Sequence, residues 1–248
     1  MKNLLTFELH KLLRQKSFYI CLALLLVFSY ISLLLAKAIQ ENDPSMVLNA
    51  SGLGSMLSAF SNSNFTMIGG IFLALFVCSD FDGQTIKNVY ARGFSKNYVF
   101  ISKWIVGIFA ILIMFIITLF FSFIAGNTLF EGIAEEGNYI GLYIGQFLLA
   151  IAYASFVFSV SIIVKRVGVS IALAILGPSL ISTVLSLADA FLKIENFSIA
   201  RYWLDGFAKD LVSVQTDSSR LVVCIVLSAI YSILFVFAGF FVNKKMEN

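Results

Sequence analysis

The side chains that usually carry chemistry are few in this 248-residue sequence, and their spacing excludes most reactions. The single histidine, His10, has no second ligand near it in sequence and reads as a solvent-facing residue. Cys21, Cys78 and Cys224 form no CxxC pair and lie in or beside apolar runs. They are expected as buried thiols acting as small apolar groups, with no metal site and no disulfide framework. Neither HExxH nor GxxxxGK[ST] occurs, so these motifs supply neither a zinc site nor a phosphate cradle. No long apolar run carries Asp, Glu, Lys, Arg or His in its core. That removes the carboxylate pair of an intramembrane protease and the ionisable partner that ion-coupled carriers usually keep within the bilayer. No catalytic residue, metal ligand or bound cofactor is expected.

One polar segment, 80–103, has a pattern to read. Asp82 or Thr85 can cap a short helix in which Ile86, Val89 and Tyr90 fall at i, i+3 and i+4 as one apolar stripe. Gly93 can end that helix and Ser95 can cap the next one. A two-turn helix with an apolar stripe, flanked by Lys87, Arg92 and Lys96, suits a knob for a partner protein. The plainer alternative is a connector whose basic residues only set topology.

The elements that hold this segment follow from composition. The chain is 60% hydrophobic and 12% charged, with mean hydropathy +0.95. A soluble domain carries about 25% charged residues, and one this apolar would aggregate through exposed patches. Basic residues sit beside apolar runs rather than in a stripe with polar readers, so no nucleic acid is expected as partner. Six apolar runs approach the roughly 20 residues that cross about 30 Å of hydrocarbon. They are Ser17–Ala36, a second ending at Ser79, Trp104–Ala125, Tyr139–Val164, Val167–Ala188 and Leu221–Val242. The second has a short firm core, Phe65–Ser79, so the stretch Ser51–Asn64 must contribute if it crosses fully. The runs must be helices, because an open sheet leaves edge amides unsatisfied in lipid and the runs do not alternate as barrel strands do. Ser17–Ala36 is too long for a typical signal-peptide core and no small-x-small site follows it, so it reads as a retained helix.

Basic residues set the orientation. One side of the six spans collects 12 of the 17 Lys and Arg with four acidic residues, net +8; the other has five basic and ten acidic residues, net −5. The basic side, which holds both termini, is expected in the cytoplasm. Residues 1–16 read as an interfacial amphipathic helix, with Leu5, Leu9, Leu12 and Leu13 on one face and Glu8, Lys11 and Gln15 away from it. The external stretch 189–220 is too apolar for a solvated loop. Short helices resting on or dipping into the outer leaflet suit it, with Tyr202 and Trp203 at headgroup depth. No internal repeat stands out, and Gly177-Pro178 in the fifth run is a candidate break without a counterpart.

The 80–103 segment resembles the stretch between the second and third spans of ABC-type-2 permeases, notably small bacterial ones that move, or confer immunity to, lantibiotics and related antimicrobial peptides. Asp80, Phe81, Thr85, Ile86, Lys87, Asn88, Gly93, Ser95, Lys96 and Lys103 fit that pattern; Asp80 stands where Glu is commoner and Gln84 where Gly is usual. The layout resembles the family along the whole chain. The resemblance implies one permease domain over residues 1–248, working as a homodimer or paralogous heterodimer in a bacterial cytoplasmic membrane. It implies cytosolic ATPase subunits that carry ATP and Mg and dock on a coupling helix comprising Thr85, Ile86, Lys87, Asn88, Val89, Tyr90 and Arg92. It implies that the second and fifth spans line the transport path, which by position takes in Phe65, Met67, Phe72, Ser170, Ser179, Ser182 and Thr183. The external helices, with Tyr202, Trp203 and Phe207, would gate it. An uncharged lining would suit an amphipathic peptide, a drug or a lipid-like cargo taken partly from the bilayer. A peptide-sensing or anchoring module without transport, and less readily an ion-coupled carrier, are the alternatives.

Overall fold

A membrane-spanning backbone must satisfy its own amides, and in the computed structural model every regular element among the described residues is helical. Those residues are 2–42, 51–61, 64–83, 85–91, 93–130, 132, 137–192 and 198–245. The elements are α1 (Lys2–Arg14), α2 (Lys16–Asn42), α3 (Gly52–Ser61), α4 (Asn64–Asp82), α5 (Thr85–Ala91), α6 (Lys96–Leu129), α7 (Tyr139–Val164) and α8 (Val167–Leu192). A 3-10 turn (Ala200–Tyr202), α9 (Leu204–Asp210) and α10 (Ser218–Lys245) follow. Six helices, α2, α4, α6, α7, α8 and α10, are long and apolar enough to cross a bilayer. The 34 residues of α6 make it about 51 Å long, well beyond the hydrocarbon slab.

Helices α4 and α7 form the centre of the bundle and are more than half buried, whereas few residues of α8 and α10 are fully buried. Lipid tails are as apolar as leucine, so close packing and interhelical hydrogen bonds, rather than apolar burial alone, decide which helices touch. Gly126 on α6 lets α3 come so near that an added Cβ would meet Ser55 Oγ at 2.4 Å. Between α7 and α10, Ser159 Oγ donates to the Phe235 carbonyl at 2.6 Å beside Gly239. A triangle of phenyl rings, with Phe115 edge-on to Phe60 and Phe65 and those two tilted against each other, ties α3, α4 and α6 together at centroid distances of 5.3 to 5.9 Å.

Three expectations change here. Ser51–Asn64 does not simply lengthen the second span: α3 is a separate, largely buried helix seated on α6, and the crossing helix α4 starts at Asn64. Its small residues let it pack inside the protein instead of facing lipid. Gly177-Pro178 does not break the fifth span, because α8 runs helically from Val167 through Pro178 to Leu192. Trp203 turns into the protein rather than outward: it is 9% exposed and its indole donates to the Pro178 carbonyl at 3.0 Å.

The bundle has two distinct ends. The near end gathers α1, α5, the α7–α8 turn at Lys165, whose ammonium lies 5.7 Å over the Phe81 ring, and the last turns of α10. The far end carries α3, the 3-10 turn and α9. There Asp189, near the end of α8, accepts from the backbone N–H of Ile199 at 2.7 Å and of Ala200 at 3.0 Å, fixing where the 3-10 turn begins.

Candidate functional site

At the near end α5 spans Thr85–Ala91, and Gly93 follows it with φ 84°, a conformation that favours glycine. Ser95 stands at the start of α6 but makes no side-chain cap; its carbonyl instead accepts from Tyr98 and Val99 N–H. The apolar stripe of α5 splits. Ile86 is only 8% exposed, packed with Leu4 of α1 and Val99 of α6, while Val89 and Tyr90 are half-buried against the same cluster. Ile86 therefore holds α5 to its own chain, and little of its side chain is left open. Tyr90 lies 5.8 Å from the Lys96 ammonium, and the exposed surface beside it is Ala91, Gly93 and Ser95–Tyr98. Arg92 lies outside the described residues, as do the side chains of Thr85, Lys87 and Asn88.

Behind α5 is a buried ionic cluster. Lys103 at the foot of α6 donates to Glu8 Oε1 of α1 at 2.9 Å and to Asp80 Oδ2 at the foot of α4. Lys11, one turn after Glu8, donates to Asp80 Oδ1 at 2.5 Å, which closes the ring back onto α1. The two ammonium groups lie 5.0 and 5.6 Å over the Phe76 ring. Glu8 and Lys103 are 1% and 2% exposed. Burial, with Lys103 nearby, pulls Lys11 below the ordinary lysine range, against the opposing pull of Asp80 and Glu8. Taking such charges out of water costs several kcal/mol per ion, and their attraction offsets this only with good geometry and full hydrogen bonding. Here Glu8 Oε2 is buried and has no hydrogen-bond partner. The cluster also corrects the expected face of α1. The protein-facing stripe is Leu4, Glu8 and Leu12, and Leu13 points outward at 56% exposed. The reason is Lys103, a partner that no reading confined to α1 can supply.

At the far end a groove of about 490 Å³ opens between α3, α4, α7, α8 and α9. Ser179, Ser182 and Thr183 of α8 line one side; Tyr153 of α7, Phe60 of α3 and Thr66 of α4 line another; Asp205, Ala208 and Lys209 of α9 close it. The Tyr153 hydroxyl donates to Asp205 Oδ1. Ser179 and Thr183 donate to carbonyls of their own helix, so their oxygens face the groove as acceptors. Of the residues expected along a path, these three on α8 come together. Phe65 borders a neighbouring pocket too small for cargo, about 10 Å³. Phe72 is enclosed by Phe18 and Phe76, and Ser170 is buried against Cys78 toward the near end. Met67 faces outward at 42% exposed. The spans contribute no charge to this lining, and α9 adds Asp205 and Lys209.

The roof of this region is fixed by Trp203, Leu204, Phe207 and Leu211, all buried in the main core. Tyr202 is half-buried: its carbonyl accepts from the Tyr231 hydroxyl at 3.1 Å, and the Arg220 guanidinium lies 4.7 Å over its ring. Gln146 of α7, fully buried, donates through Nε2 to the carbonyls of Leu57 and Leu211, each at 3.1 Å, and so ties α3 and the end of α9 to one span. It is the only amide side chain in the apolar run Tyr139–Val164, which is a sequence signal that could have marked it.

Six spanning helices, a small helix wedged at the near end and a groove at the far end define a multi-pass membrane protein. Residues 4–188 match the family model described as ABC-2 family transporter protein, and the chain belongs to that family. Membership makes it the membrane component of an ABC transporter and implies a cytosolic ABC ATPase as partner. No curated protein matches the sequence closely enough to stand as a relative.

Proposed function

We propose that the chain is the permease subunit of an ABC exporter that moves an amphipathic peptide, drug or lipid-like molecule out of a bacterial cell. A separate cytosolic chain binds and hydrolyses ATP with Mg and docks at the near end on α5 and the exposed surface beside Tyr90. The charge asymmetry, net +8 against −5, supports a cytoplasmic near end and hence cytoplasmic termini. Two permeases, identical or paralogous, form the working unit, and the exposed apolar surface of α8 (Leu176, Leu180, Val184) is where a second copy or lipid must cover it. The external helices around Tyr202, Trp203 and Phe207 gate the far end.

The observation that carries the cargo reading is the far-end groove. Its volume, about 490 Å³, falls within the roughly 300–1,000 Å³ of ligand sites. Its walls combine two aromatic rings, a row of hydroxyls, the Asp205 carboxylate and the Lys209 ammonium, which suits a molecule with an apolar body and a polar end whose cationic group would meet Asp205. The test is ATP-dependent uptake of a fluorescent cationic amphipathic peptide into inside-out vesicles holding the permease and its ATPase. Asp205→Asn keeps an acceptor for Tyr153 but removes the charge, and it is expected to raise KM for that peptide about threefold while leaving a neutral amphiphile unaffected. Movement of strongly charged, water-soluble cargo without movement of amphiphiles contradicts the reading. Peptide-stimulated ATP turnover without uptake would instead identify a sensing module.

A further inference from the structure

We propose that Glu8, Lys11, Asp80 and Lys103 are positioning residues of the ATP-coupling step, a buried charge clamp that makes α1 and α5 move as one body with the feet of α4 and α6. The inference rests on the reading that the ATPase docks at α5.

Three observations converge on it. The first is connectivity. Lys103 holds Glu8 and Asp80, and Asp80 holds Lys11, so three ion pairs in a row, closed into a ring only through α1 itself, join three helices through one small volume. The second is the placement of α1. Its buried stripe meets α5 at Leu4, through Ile86 and Val99, enters the ring at Glu8 one turn later and reaches the main core at Leu12. A push on α5 thus reaches the spans by two routes, along the chain through Gly83 and Asp82, and across α1 through the ring. The third is chemical. Apolar side chains of similar size would hold α1 at least as firmly, because buried ion pairs often contribute no more than well-packed hydrophobic replacements. A ring that leaves Glu8 Oε2 buried without a partner is poor glue. It is well suited to a part with discrete alternative pairings, since Lys103 already bonds two carboxylates and a small shift can pass it from one to the other.

The experiment uses the full chain with its ATPase in phosphatidylglycerol–phosphatidylethanolamine vesicles, and a fluorophore on Ser213→Cys at the exposed far end. The native Cys21, Cys78 and Cys224 are buried, so they compete little for label. In the parent, adding ATP and Mg shifts the fluorescence. The charge-balanced pair Glu8→Leu/Lys103→Met leaves Asp80 with Lys11, and it is expected to keep ATPase association and hydrolysis while the far-end shift falls about tenfold. An undiminished shift overturns the proposal and reduces the cluster to adhesive. Should the double variant not fold, Lys11→Met, which removes the most exposed of the ring's two cations, decides: a shift reduced about threefold supports the clamp, and an unchanged one overturns it. Failure of the ATPase to bind the parent chain removes both the docking reading and this inference. Normal binding with a full response in the cluster variants removes the inference alone.

Discussion

Lys103 is the residue on which the near end turns, because its ammonium is buried and shared by two carboxylates on different helices. Lys103→Ala strands Glu8 in an apolar setting, so we expect a loss of about 3–5 kcal/mol, read as a lowered thermal midpoint in detergent. Gln146 gives a milder case. Gln146→Leu should cost about 1–2 kcal/mol and speed amide exchange across residues 204–211, since two carbonyls lose their shared donor. Exchange unchanged in that segment would show that the amide does not hold α9. These residues also mark where sequence reading runs out. Helical periodicity put Glu8 on the polar face of α1, a sound inference from Leu5, Leu9, Leu12 and Leu13 taken alone. What reverses it is a lysine 95 positions further on, and no local pattern carries that pairing.

At the scale of elements, the six spans were legible because lipid leaves a backbone few choices, and long uncharged runs have to be helices. The short helix α5 was legible for a local reason too: Gly93 and the spacing of Ile86, Val89 and Tyr90 specify its length. Its facing was not, because the partner of Ile86 is Leu4 on another helix. Helix α3 was hidden by composition, since Gly52, Gly54, Ser55 and Ser58 lower its hydropathy, yet those small side chains are what let it press onto α6. Gly126→Leu should therefore separate α3 from α6 and destabilise the far end by about 1–3 kcal/mol, visible as faster proteolysis between the two helices. Resistance equal to that of the parent would mean that α3 relaxes without cost. The groove was half legible: the hydroxyls of α8 were readable as a polar row, whereas Asp205 and Lys209 arrive only because α9 folds back over Tyr153.

For the whole molecule, the proposed mechanism is a relay between two ends of one helical bundle, with ATP used by a partner at the near end and cargo held in the far-end groove. The α4–α7 core is the most buried part of the bundle, while α8 lies outside it, free to be covered by a second copy or by lipid. The claim that matters most is that a cytosolic ABC ATPase docks beside α5, and co-purification followed by ATP hydrolysis in vesicles tests it most directly. The ATPase should be retained by the parent chain and lost with Tyr90→Asp, which places a charge in the half-buried part of the stripe while Ile86, Leu4 and Val99 keep α5 folded. Retention of the ATPase and full hydrolysis in the Tyr90→Asp variant would contradict the docking site and, with it, the path proposed from ATP to cargo.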